Sequence, residues 1–131
     1  MASENPVEER AVILIVEDDF FLLMLAVDMV EEAGFATITA TNADEAVTLL
    51  EEREDIRVVF TDINMPGSMD GLKLAQAVRH RWPPIELILT SGKFSVAPED
   101  IPERAQFFAK PYRSDQVISA MRQFMTDNPP H

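Results

Sequence analysis

Three consecutive acids, Glu17, Asp18 and Asp19, close the apolar run Ala11–Val16, and a further acid, Asp62, closes the run Arg57–Thr61. A hydroxyl, Thr90, ends the run from Ile85, and an ammonium, Lys110, ends the short run from Gln106. Carboxylates held together repel and desolvate one another. A hard divalent cation relieves this, and Mg2+ takes oxygen ligands in near-octahedral geometry while keeping several waters. An aspartate can then meet an incoming phosphoryl group as a nucleophile. Metal, ammonium and hydroxyl neutralise the charge on the phosphoryl oxygens. A transferred phosphate adds about 1.5–2 negative charges, which an ammonium and a hydroxyl nearby would register. Each residue alone has a plainer reading. Acids after a strand cap the next helix, and Asp62 before Pro66 and Gly67 starts a turn. Thr90 alone is an ordinary strand residue, and Lys110 alone is a solvated charge. Chemistry needs a fold that gathers Glu17, Asp18, Asp62, Thr90 and Lys110 in one place.

The surrounding elements supply such a fold. Ala11–Val16 is continuously apolar and β-branched, the mark of a strand buried on both faces and hence of a parallel sheet. A helix follows to about Ala33, stopped by Gly34. Ala36–Ala40 reads as a second strand, and Asn42 or Thr41 can cap a helix over 43–52. Arg57–Asp62 is a third strand, followed by a Pro- and Gly-bearing loop and a helix over about 72–80 that the sequence RWPP ends. Ile85–Thr90 and Gln106–Lys110 are strands, and a last helix spans about 114–125. In the segment Lys93–Ala105, Pro98 and Pro102 permit at most about one helical turn between them, so the fourth helix is expected to be short or missing. This alternation implies a doubly wound parallel sheet with helices on both faces. In open parallel sheets the site lies beyond the carboxyl ends of the strands, where the five residues fall.

The pieces IVEDD, TDINMPGSMDG, LTSG and AKPY, in this order and at these strand ends, resemble the receiver domains of two-component response regulators over about residues 11–126. The resemblance implies a flavodoxin-like, five-stranded sheet of order 2-1-3-4-5, for which receiver proteins are themselves a type example. It implies that Asp62 takes the phosphoryl group from a sensor histidine kinase or a phosphotransfer protein. Mg2+, with Mn2+ or Ca2+ as substitutes, would be held by Glu17, Asp18, Asp62 and the Asn64 carbonyl. Thr90 is the switch hydroxyl, Lys110 the phosphate-pairing lysine, Pro111 follows it in a cis peptide, and Phe107 is the switch aromatic. On this reading the chain is a phosphoacceptor that assists its own phosphorylation and dephosphorylation, not a turnover enzyme. Its output is a change in protein contacts with a downstream protein that the sequence does not name. Glu17 stands where the family has Asp, the loop MPGSMDG is one residue longer than usual, and the proline-degraded helix weakens the usual output face.

Rival readings fit less well. An aspartate-nucleophile phosphohydrolase needs a second acid two residues after the nucleophile, and Asn64 is there. A flavodoxin-like cofactor binder needs a Gly- and hydroxyl-rich phosphate loop where this chain has Glu17, Asp18 and Asp19. A receiver used only for binding would not need the whole set.

One helix is unusual: from Phe20 to Val30 only Asp28 is polar. Helical spacing places Leu22, Ala26, Met29 and Ala33 on the sheet and Phe20, Met24, Val27 and Glu31 opposite. Phe20, Met24 and Val27 are therefore expected to form a partner surface, for a kinase or for self-association as a homodimer. Tyr112 and Arg113 read as surface residues near the site. His80, at a helix C-terminus, has a dipole role.

Composition agrees. The 131 residues suit a single domain, expected as residues 11–126 between an acidic leader, 1–10, and a tail, 127–131, of a standalone receiver. A net charge of −12 disfavours direct nucleic-acid binding. The absence of cysteine suits a reducing compartment. No signal peptide or apolar run of about 18 residues is present, so a cytoplasmic chain without membrane insertion is expected.

Overall fold

The computed structural model describes residues 12–64, 70–92 and 98–127. The expected leader, the tail beyond 127, the longer loop over 65–69 and the start of the fourth connection, 93–97, lie outside the described residues. The elements in order are β1 (Val12–Val16), α1 (Phe20–Glu32), β2 (Ala36–Ala40), α2 (Ala43–Glu52), β3 (Ile56–Asp62), α3 (Gly71–Arg81), β4 (Glu86–Ser91), β5 (Ala105–Ala109) and α4 (Ser114–Asp127). The strands form one parallel sheet in the order β2-β1-β3-β4-β5. Between β4 and β5 the described residues hold only a 3-10 turn, Pro98–Asp100. Pro102, with no N–H to donate, stands just past its end.

The period-2 geometry of the strands divides the core in two. Val12, Leu14, Val16, Val59, Leu87 and Leu89 pack with α2 and α3. Ile13, Ile15, Val58, Phe60 and Ile88 pack with α1 and α4. With both faces covered, β1 is apolar throughout and all five of its residues are buried.

The helix caps set where the strand-end loops stop. Asn42 caps α2, accepting the Glu45 N–H at 2.8 Å, while the Glu45 carboxylate accepts the Thr41 N–H at 2.6 Å. This reciprocal box satisfies two donors that the helix cannot. Asp19 caps α1, accepting the Leu22 N–H at 3.0 Å, and Asp70 caps α3, accepting the Lys73 N–H at 2.9 Å.

The phase of α1 differs from expectation. Leu23, Ala26 and Val30 are its buried residues, and Val27 packs half-buried against the same core. Leu22, expected on the sheet, is 40 % exposed, and Val27, expected outside, is not. An almost uniformly apolar helix carries no periodic signal to fix its rotation. Its cap and the sheet below decide it.

The segment before β5 is held from α3 by its backbone. The Gln76 amide donates to the Asp100 carbonyl at 3.1 Å, and Arg79 Nε donates to the Glu103 carbonyl at 2.9 Å. Arg79 also reaches the Pro83 and Ile85 carbonyls at 2.7 and 2.9 Å.

Candidate functional site

Strand register brings the chemistry together. Asp62 of β3 lies opposite Thr90 of β4, and Val16 of β1 lies opposite Thr61. Glu17 therefore emerges beside Asp62. Ser91 lies opposite Ala109, so Lys110 is the first residue past β5, and its N–H bonds the Ser91 carbonyl at 2.9 Å. The Lys110–Pro111 peptide is cis.

Glu17 and Asp62 are each 7 % exposed and Thr90 is 3 % exposed, while Asp18 is open to solvent. Carboxylate oxygens of Glu17, Asp18 and Asp62 lie within 4.8 Å of one another. Lys110 Nζ donates to Asp62 Oδ2 at 3.0 Å and to Glu17 Oε1 at 3.4 Å. Burial raises the pKa of Glu17, and the Asp62 charge adds to this, against the Asp19 N–H and the Lys110 charge. Burial works against the Lys110 ammonium, but the hydrogen bond and charge of Asp62, with Glu17, outweigh it and raise its pKa. One ammonium thus faces three clustered carboxylates. This oxygen-only, negatively charged set fits a hard divalent cation such as Mg2+.

The backbone around Asp62 is fixed closely. The Asn64 N–H donates to Asp62 Oδ1 at 3.1 Å, and the Ile63 N–H donates to the Thr90 carbonyl at 2.8 Å. Gly71 opens α3 against Asp62: a Cβ there would sit 2.0 Å from the Asp62 carbonyl oxygen. Only glycine permits that approach.

Residues outside the expected set also belong here. The Ser91 hydroxyl donates to the Asn64 side-chain oxygen at 2.6 Å and so orients the residue expected to lend its carbonyl to the metal. Asp19 caps α1, and its N–H holds Glu17 Oε2 at 3.1 Å. The acid-after-strand pattern thus contains both readings at once: Asp19 is a cap, while Glu17 and Asp18 join the cluster. Tyr112, expected on the surface, is half-buried and meets Phe60 edge-on, with ring centroids 5.9 Å apart. Burial raises its pKa. Arg113 is exposed, as expected, and pairs with Asp115 at 3.1 Å. His80 is exposed in the last turn of α3, away from the cluster.

Phe107 lies opposite Leu89 and packs half-buried against the α2/α3-side core. On α1, Phe20 is 71 % and Met24 40 % exposed, but Val27 is turned into the core, so Phe21 (69 %), Leu22 and Leu25 (50 %) complete the exposed set instead.

The strand order and the acid cluster at the strand ends define a doubly wound α/β domain with its candidate site beyond the carboxyl ends of the strands. The chain belongs to the response regulator receiver domain family, whose model matches residues 13–122. Relatives include the hydrogenase transcriptional regulatory protein HoxA of Cupriavidus necator, 32% identical over 88% of this chain and 24% of that protein. The sensor kinase CckA of Brucella abortus is 29% identical over 95% of this chain and 14% of its own length. The chain therefore spans about a quarter or less of these relatives. Among solved structures, a response regulator receiver protein from Sinorhizobium medicae superposes with a TM-score of 0.85 at 25% identity, covering 92% of this chain and 98% of that one.

Proposed function

We propose that residues 11–126 form a receiver unit in which Asp62 accepts a phosphoryl group from the phosphohistidine of a sensor kinase or phosphotransfer protein. The observation that carries this is the Lys110–Asp62 pair at 3.0 Å beside the three-carboxylate cluster. Glu17, Asp18, Asp62 and the Asn64 carbonyl are the residues to hold Mg2+, which when bound neutralises charge on the phosphoryl oxygens. One Asp62 oxygen attacks phosphorus, while Asn64 N–H and Lys110 keep the carboxylate oriented. After transfer, Lys110 and the Thr90 hydroxyl pair with phosphoryl oxygens. Their shift is passed through β4 and β5 to Phe107 and the surface around it. The acyl phosphate later hydrolyses at the same site. The protein works in the cytoplasm, and its output is a contact with another protein.

Phe20, Phe21 and Met24 on α1 supply the kinase-docking surface, since they are exposed, apolar and one helix turn or two from the acid cluster.

Incubation with acetyl phosphate and Mg2+ should add one phosphoryl mass to the wild type and none to Asp62→Asn, and a chelator should abolish the addition. A folded, Mg2+-binding wild type that is never modified would overturn the reading in favour of a receiver used only for binding.

A further inference from the structure

The acid cluster opens into a cavity of about 430 Å3 whose walls combine two chemistries. Glu17, Asp62, Thr90 and Lys110 contribute the charged and polar part. The rest is apolar: Leu22, Leu25 and Ala26 from α1, Phe60 from β3, and Pro111 and Tyr112 from the loop after β5. The volume lies in the range of small-molecule pockets, which are mostly apolar with a few placed polar groups. The Phe60–Tyr112 edge contact gives it a fixed aromatic wall. Leu22 and Leu25 are 40 % and 50 % exposed although each lines this cavity, so the space beside the acceptor carboxylate is not closed by packing. Acceptance of a phosphoryl group by itself requires no such apolar space.

We propose that this cavity holds the apolar body of a small phosphodonor, so that the chain takes phosphoryl groups from acyl phosphates with an aromatic or branched acyl group in preference to acetyl phosphate. The inference rests on Asp62 being the acceptor. In the step, an Asp62 carboxylate oxygen forms the new O–P bond and the P–O bond to the acyl group breaks. The electron pair leaves with the acyl oxygen as a free carboxylate. Charge balances, and neither a proton nor a reductant is needed. The apolar body removes its ring from water between Leu25 and Tyr112, while the phosphoryl end meets Lys110. Acetyl phosphate offers the cavity only a methyl group.

Two measurements test this. The first is titration of the Mg2+-loaded protein with benzylphosphonate and with methylphosphonate, which share a head group and transfer nothing. Benzylphosphonate is expected to bind roughly tenfold more tightly, the scale of partly burying one ring. Leu25→Gln, at a half-exposed position, is expected to bring the ratio close to one. Equal affinities in the wild type, or a ratio that survives both Leu25→Gln and Tyr112→Ala, would overturn the proposal. The second is the initial rate of phosphorylation by benzoyl phosphate and by acetyl phosphate, each relative to its spontaneous hydrolysis. A higher relative rate with benzoyl phosphate supports the proposal. Labelling of Asp62 by acetyl phosphate with no gain from benzoyl phosphate defeats the proposal alone. No labelling by either donor defeats the acceptor reading, and this inference with it.

Discussion

Helices α1 and α2 follow successive strands of one sheet and pack on opposite faces of it, yet they are written in different ways. In α2 the residues Ala43, Ala46 and Leu50 are buried, and Asp44, Glu45, Glu51 and Glu52 face water. In α1 the same spacing, Leu23, Ala26 and Val30, is buried, but the outer side carries Phe20, Phe21, Leu22, Met24 and Leu25. Among the described residues these are all of the large exposed hydrophobic side chains. A polar outer face, as in α2, reports only where the core is. An apolar outer face beside a site reports a second use of the helix, because the buried stripe alone already accounts for its packing.

The comparison can be tested at three depths. Leu50→Ala and Leu23→Ala empty equivalent buried positions, so each is expected to lower unfolding free energy in urea by about 2–5 kcal/mol. A loss at Leu23 of only a few tenths would mean that α1 is not held by its stripe. Next come the caps. Asn42→Ala and Asp19→Ala each remove an acceptor from a helix start, and each should cost about 1 kcal/mol in the same measurement. Smallest in stability is the pair Phe20→Ser and Phe21→Ser, expected within about 0.5 kcal/mol of wild type because both rings already face water. Those variants should nevertheless slow phosphotransfer from a phosphohistidine protein. A full transfer rate would leave the apolar face of α1 without a docking role.

What could be read from the chain beforehand followed periodicity and punctuation. The apolar run Ala11–Val16 announced a buried strand of a parallel sheet, and the runs ending in Asp62 and Thr90 announced two further strands. Asn42 or Thr41 marked the start of α2, and Pro98 with Pro102 pointed to a short or missing helix before β5. The rotation of α1 was not legible, because eight residues from Phe20 to Val27 contain no polar one to break the symmetry. Nor was Ser91 legible as a partner for Asn64: the pair is 27 positions apart and meets only because β4 pairs with β3. Tyr112 looked like a loop residue until the cis turn at Pro111 and the edge contact with Phe60 were in place.

The sequence by itself determined the element order, the layered architecture and the identity of the acids, hydroxyl and ammonium at the strand ends. These follow from side-chain period and from backbone restrictions that act within a few residues. Tertiary structure decided which of the three acids after β1 caps and which face Asp62, how α1 turns, and that Gly71 must lie against the Asp62 carbonyl. It also decided that a cavity with apolar walls opens beside the Asp62 carboxylate. Those outcomes depend on distances between groups far apart in the chain, set by sheet register and packing, which no local pattern encodes.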